Sequence, residues 1–168
     1  MKTIKLIILL LFITSVCCSQ ESSDDSYVSL FVKTEPTAKS NGKIAFNVGF
    51  GTEYVMKSMY IQVQFFTIPK LNNVGYSEIT AGAGLNQRLG TFKDLRIKEG
   101  FMVGYNFRDG ETYPIYSFEL GVEYFLSKRI SLGVVGYVTK RGDSDFYDCK
   151  HYVFSTDGRI SIILDRVK

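Results

Sequence analysis

The chain has 168 residues, of which 20 are Lys or Arg and 17 are Asp or Glu, giving a formal charge of +3 at neutral pH. That near-balance excludes the strong basic excess expected of a nucleic-acid-binding protein. A single histidine and three cysteines leave little material for a His-based metal centre or a disulfide framework.

The first nineteen residues, MKTIKLIILLLFITSVCCS, carry a basic start (Lys2, Lys5), an apolar stretch from Ile4 to Ile13 and then small residues. The apolar core is shorter than the roughly 20 residues a spanning helix needs, so residues 1–19 are expected to be a secretory signal peptide. Cleavage after Ser19 is the preferred reading, and lipidation at Cys17 or Cys18 is the alternative. Removing Lys2 and Lys5 leaves 18 basic and 17 acidic residues, a balance of +1, and leaves Cys149 as the only thiol. Residues 20–26, rich in Asp, Glu and Ser, are expected to be a disordered acidic lead. Residues 27–168 are then of a size for one domain.

From Tyr27 onward apolar residues recur with period two, and turn residues separate the runs. The predicted strands are Tyr27 to Thr34, Lys43 to Gly51, Ser58 to Ile68, Tyr76 to Asn86, Leu95 to Arg108, Tyr113 to Leu126, Arg129 to Thr139 and His151 to Asp165. The pair Asp157-Gly158 invites a hairpin. However, Tyr152, Phe154, Thr156, Ile160, Ile162 and Leu164 keep their phase across it, which favours one long strand. The fold class expected is all-β, an antiparallel up-and-down barrel of about eight strands.

Each strand sorts into an apolar and a polar, glycine-rich row. Phe118, Leu120, Val122 and Tyr124 form one apolar row; Ser117, Glu119, Gly121 and Glu123 alternate with them. A soluble sheet alternates too, so the glycines and charges carry the choice. Gly49, Gly51, Gly82, Gly84, Gly104, Gly121 and Gly133 all lie in polar rows. There they weaken a solvent-facing strand but make room for long side chains inside a narrow barrel. The same rows hold both signs of charge: Glu78, Glu119, Glu123 and Asp165 against Arg96, Lys98, Arg108 and Arg159. Buried charges must be paired to be tolerated. These eight residues are therefore expected to form a charge network in the lumen, with Arg96 and Arg108 as partners for Glu119. The row from Phe118 to Tyr124 is expected to face lipid. Tyr76, Phe107, Tyr113, Tyr124, Phe125 and Tyr152, near strand ends, suit the aromatic girdles of a membrane barrel. The alternative is a soluble barrel with its charges in water.

The runs "IAFNVGFG", "EGFMVGYNF" and "FELGVEYFLSKRISLGVVGYV", spread over nearly all of the chain after the leader, resemble small bacterial outer-membrane β-barrels. The similarity is to the compact OmpA-like barrels of Bacteroidota-type genomes. The resemblance implies residence in the outer membrane, with its lipid and its assembly machinery as partners. Many such barrels end in an aromatic residue that this machinery reads, whereas this sequence ends Leu164-Asp165-Arg166-Val167-Lys168.

Little in the sequence points to chemistry. "AGAGLNQRLG" lacks the spacing and following helix of a phosphate loop and reads as strand. Arg141-Gly142-Asp143 reads as a turn rather than an adhesion tripeptide. Asp143, Asp145 and Asp148 read as a solvated acidic loop rather than a calcium site. His151 reads as a rim residue and Cys149 as an inert thiol. Glu119 and Glu123 are roughly 13 Å apart by strand rise, too far for a glycosidase pair. No enzyme activity, cofactor or metal is expected. The expected function is a small outer-membrane barrel with a structural, adhesive or surface-interaction role. The alternative is a secreted or periplasmic lipocalin-like barrel binding a small apolar ligand, with a barrel enzyme acting on lipid as a weaker third.

Overall fold

The computed structural model describes residues 26–36, 39–40, 43–71, 74–89, 92–143 and 152–167. Its strands are β1 (Ser26–Thr34), β2 (Lys39–Ser40), β3 (Lys43–Ile44), β4 (Val48–Met56), β5 (Met59–Leu71), β6 (Val74–Leu89), β7 (Phe92–Arg108), β8 (Glu111–Phe125), β9 (Ile130–Arg141) and β10 (Tyr152–Val167). β2 and β3 form a two-residue ladder of their own. The other eight close into a barrel in the order β1-β10-β9-β8-β7-β6-β5-β4. Every pairing is antiparallel, so the barrel is all-β and up-and-down.

Closure carries a stagger. From Lys33, partners in register lead through Gly49, Phe66, Glu78 and Asn106 to Tyr113 on β8. In the other direction they lead through Arg159 and Gly133 to Glu123 on the same strand. The two arrivals differ by ten residues (113 to 123). A stagger of this kind tilts the strands by about 40° and leaves an eight-strand interior that side chains fill.

Two turns show why the chain reverses where it does. Asp109 and Gly110 take φ values of 54° and 80°, the left-handed pair of a two-residue hairpin, for which Asp-Gly is a preferred sequence. Lys57, with φ 55°, turns β4 into β5.

Strand boundaries differ from expectation in three main places, the first being the predicted strand Lys43 to Gly51, of which Lys43–Ile44 joins the small ladder and only Val48 onward belongs to the barrel. Thr52 to Lys57 was expected to be a turn, but β4 runs to Met56, because Glu53 and Val55 continue its inward row. Gln87 to Asp94 was expected to be a long connection. Instead β6 extends to Leu89 and β7 begins at Phe92. At the other end β1 stops at Thr34 and β4 starts at Val48. Asn47 ties the connection between them: its Oδ1 accepts from the Glu35 N–H at 2.6 Å, and its Nδ2 donates to the Glu35 and Ala45 carbonyls at 2.8 and 3.0 Å.

Candidate functional site: a charged lumen inside an apolar wall

The interior carries charged and polar side chains at every level, mixed with buried aromatic and aliphatic ones, and three layers describe it. Nearest the chain termini, Tyr27, Val55, Tyr60, Phe125 and Ile163 pack together. The Arg96 guanidinium lies over the rings of Tyr27 and Phe125, 5.3 and 4.9 Å from their centroids. This is a cation–π arrangement, favourable where water is excluded. Glu123 accepts from the hydroxyls of Ser131 and Ser161 at 2.6 and 3.3 Å.

The middle layer is a connected set of charges. Glu53 sits between two cations, bonded to the Lys98 ammonium and, at 3.1 Å, to Arg159 Nη2. Arg159 also donates to the Gln62 side-chain oxygen at 3.2 Å. The Gln62 amide nitrogen in turn donates to both oxygens of Glu119, at 2.7 and 2.8 Å, and the Tyr60 hydroxyl donates to the same carboxylate. Tyr60 reaches it by lying across Gly84 and Gly100, where an added Cβ would strike its ring or hydroxyl.

At the far end Lys33 pairs with Asp157 at 2.7 Å and lies between the rings of Phe66 and Tyr137. Glu78 accepts from the Tyr76 hydroxyl at 2.8 Å. These groups border a cavity of about 70 Å³, room for a few waters. Above it Asp143 is fully buried. It receives Arg141 at 2.5 Å, Arg108 at 3.3 Å and the Asn106 amide at 3.2 Å. Burial alone would lift the Asp143 carboxyl, but the two guanidiniums and Asn106 outweigh it and hold it below the ordinary carboxylate range.

Of the charged residues singled out from the sequence, Arg96, Lys98, Arg108, Glu119, Glu123 and Arg159 are buried, and Glu78 is half-buried beside the cavity. The side chain of Asp165 lies outside the described residues. The partners of Glu119 are Tyr60 and Gln62 rather than Arg96 or Arg108, because Arg108 is drawn to Asp143 and Arg96 to aromatic rings. Lys33, Glu53 and Asp157 were missed. Glu53 stood in the gap between two predicted strands, and Asp157, inside the predicted last strand, belonged to a dipeptide with turn character. Only their phase with inward residues two positions away would have revealed them. Arg141-Gly142-Asp143 is not displayed for adhesion, since its two charged ends bind each other and Asp143 points inward. Asp145, Asp148, Cys149 and His151 lie outside the described residues.

The outer wall is the reverse of the lumen. Leu120, Val122 and Tyr124 are 48, 46 and 49% exposed, and Phe118 is half-buried in the same row. Leu30, Val32, Ile61, Val63, Phe101, Val103, Leu132, Val134, Ile160 and Ile162 continue the band around the barrel. Of the expected girdle residues, Phe107, Tyr124 and Tyr152 face outward. Tyr76 and Phe125 point into the lumen instead, because each shares its parity with an inward neighbour two positions away, Glu78 and Glu123.

A closed eight-strand barrel with charges inside and aliphatic side chains outside is the architecture of a transmembrane β-barrel. The solved structures most similar in fold include three of that kind. Neisserial surface protein A (NspA) aligns over 86% of this chain and 100% of its own, with a TM-score of 0.59 and 11% identity. Ail, the attachment invasion locus protein of Yersinia pestis, covers 86% and 99%, with a TM-score of 0.54 and 8% identity. A de novo designed transmembrane β-barrel covers 86% and 98%, with a TM-score of 0.52 and 13% identity. At such identities the likeness is one of fold. No protein-family model matches the chain, and no curated relative matches it significantly.

Proposed function

We propose that this chain is a small outer-membrane barrel whose role is structural and at the cell surface, exercised through the loops at the far end rather than by conducting solutes. The observation that carries this reading is the inverted polarity of the barrel. Apolar side chains cover the outside in a continuous band, while Glu53, Lys98, Arg159 and Glu119 are buried in the middle of the lumen. In water such a wall is a large exposed apolar surface, far beyond what soluble monomers carry. Against hydrocarbon it is the matching solvent, and closure leaves no strand edge to satisfy.

A lipocalin-like carrier needs the opposite arrangement, with its Phe, Ile and Val rows lining a ligand cavity. Here those rows face out and the mouth cavity is small and polar. The names of two proteins similar in fold, a surface protein and an attachment invasion locus protein, are consistent with this reading. Export by the signal sequence, insertion by the assembly machinery and contact with outer-membrane lipid belong to the same proposal. Cell fractionation tests it. The protein should pellet with outer membranes and run faster on a denaturing gel unboiled than boiled. Recovery in the soluble periplasmic fraction, with no shift on boiling, would refute it.

A further inference from the structure

Among the described residues the apolar wall carries one Asp, Glu, Lys or Arg side chain away from the strand ends. Glu99 lies near the middle of β7 in the outward row, between Ile97 and Phe101, and its partners in register are Leu85 on β6 and Leu120 on β8. Among the described residues of the outward rows, Glu99 and Lys140 are the only Asp, Glu, Lys or Arg side chains within the barrel strands. Lys140 is next to the last residue of β9, where it reaches the rim. Glu99 is seven residues from the start of β7 and nine from its end. Its Oε2 is shielded from solvent and has no hydrogen-bond partner. The strands on either side present Ala83, Leu85, Leu120 and Val122 to it, and Gln87, the one polar neighbour on the same row of β6, does not bond that oxygen. A carboxyl at such depth is costly unless it finds a hydrogen-bonding partner, and ionisable groups there mark functional contacts.

We propose that Glu99 marks a lateral interface at which two copies of this chain meet in the membrane, their two Glu99 carboxyls hydrogen-bonded to each other as neutral acids. The proposal rests on the membrane reading above. Two copies inserted with the same orientation are related by an axis along the membrane normal, and such an axis keeps every residue at its own depth. Glu99 of one copy therefore meets only groups at its depth on the other. Two other polar residues of the outward rows lie in that zone. Thr52 already donates its hydroxyl to the Ser29 carbonyl at 3.3 Å, and Gln87, diagonal to Glu99 on β6 and in register with Ile97, stands two residues closer to the β6–β7 turn than Leu85, away from the depth of Glu99. The symmetric partner of Glu99 is Glu99. Two neutral carboxyls satisfy one another, each donating its O–H to the other's carbonyl oxygen.

Disulfide trapping of the full-length chain in its native membrane tests this, with Cys149→Ser as background. Leu120→Cys, in register with Glu99, should give a disulfide-linked dimer about tenfold more abundant than Leu30→Cys on the opposite wall. Adding Glu99→Leu should remove most of that product, whereas Glu99→Gln should keep it, since two amides also pair reciprocally. Photobleaching of labelled protein diluted into phosphatidylcholine vesicles should show two steps for the unsubstituted barrel and one for Glu99→Leu. Equal trapping on both walls, or trapping indifferent to Glu99→Leu, would overturn the interface while the shift on boiling still reported an intact membrane barrel. Loss of that shift in every variant would instead remove the membrane reading, and this proposal with it.

Discussion

Glu53 is the most consequential single residue in the lumen, because two cations depend on it. Removing one member of a buried ion pair strands the other, at a cost of about 3–5 kcal/mol. Glu53→Ala strands both Lys98 and Arg159. It should lower stability at least that much in urea unfolding from vesicles, whereas Lys98→Met leaves the Glu53–Arg159 contact and should cost clearly less. Similar losses for the two variants would mean that the lumen is wet enough to screen them. Asp143 makes the same argument with pH as the variable. Its carboxyl is held below the ordinary range, so the stability it contributes is complete above that range and disappears as pH falls through the depressed value. Asp143→Asn should therefore be less stable than the parent at neutral pH, and the two should converge only in strong acid. A gap that persists in acid strong enough to protonate the depressed carboxyl would dissociate the effect from titration.

At the level of the element, period two made the eight strands legible. Phase across Asp157-Gly158 correctly kept β10 whole, because a strand that shows one face to the lumen and the other to the outside holds its alternation through a turn-like dipeptide. What was not legible came from the same rule misapplied at the ends. Thr-Glu-Tyr looked like a loop because polar residues normally mean water, but in a barrel with a polar interior Glu53 is where an inward residue belongs. Tyr76 and Phe125 were read as girdle residues by their place near strand ends, although parity points them inward. Asn47 stood inside the predicted strand Lys43 to Gly51, so nothing in the alternation marked the connection that it ties. Its three hydrogen bonds to the backbone of Glu35 and Ala45 substitute for ladder pairs that β1 and β4 lack above Thr34. Asn47→Ala should cost about 1–3 kcal/mol and expose residues 35–47 to protease in the folded barrel. A cleavage rate equal to that of the parent would show that the connection is held by something else. On the wall, Val122→Arg places a charge in the apolar band at a cost of about 2–4 kcal/mol, and its refolding yield in vesicles should fall accordingly.

For the whole molecule, the even strand count fixes a topology that a single thiol can report. Ser26 pairs with Val167, so both ends of the barrel lie on one side. The connections after β1, β5, β7 and β9 lie on the other. In an outer-membrane barrel the termini belong in the periplasm, which places residues 142–151 outside the cell. Cys149 lies in that stretch and is the only cysteine beyond residue 18. A membrane-impermeant maleimide should therefore label it in intact cells. An epitope placed at Glu21 should stay hidden until the outer membrane is opened. The two readouts must be opposite, because an odd number of crossings separates them. If Cys149 reacts only after permeabilisation, while the unfolded chain reacts freely, the barrel is either inverted or not in the membrane at all. The epitope then tells which: exposed on intact cells it means inversion, and hidden it returns the protein to the periplasm.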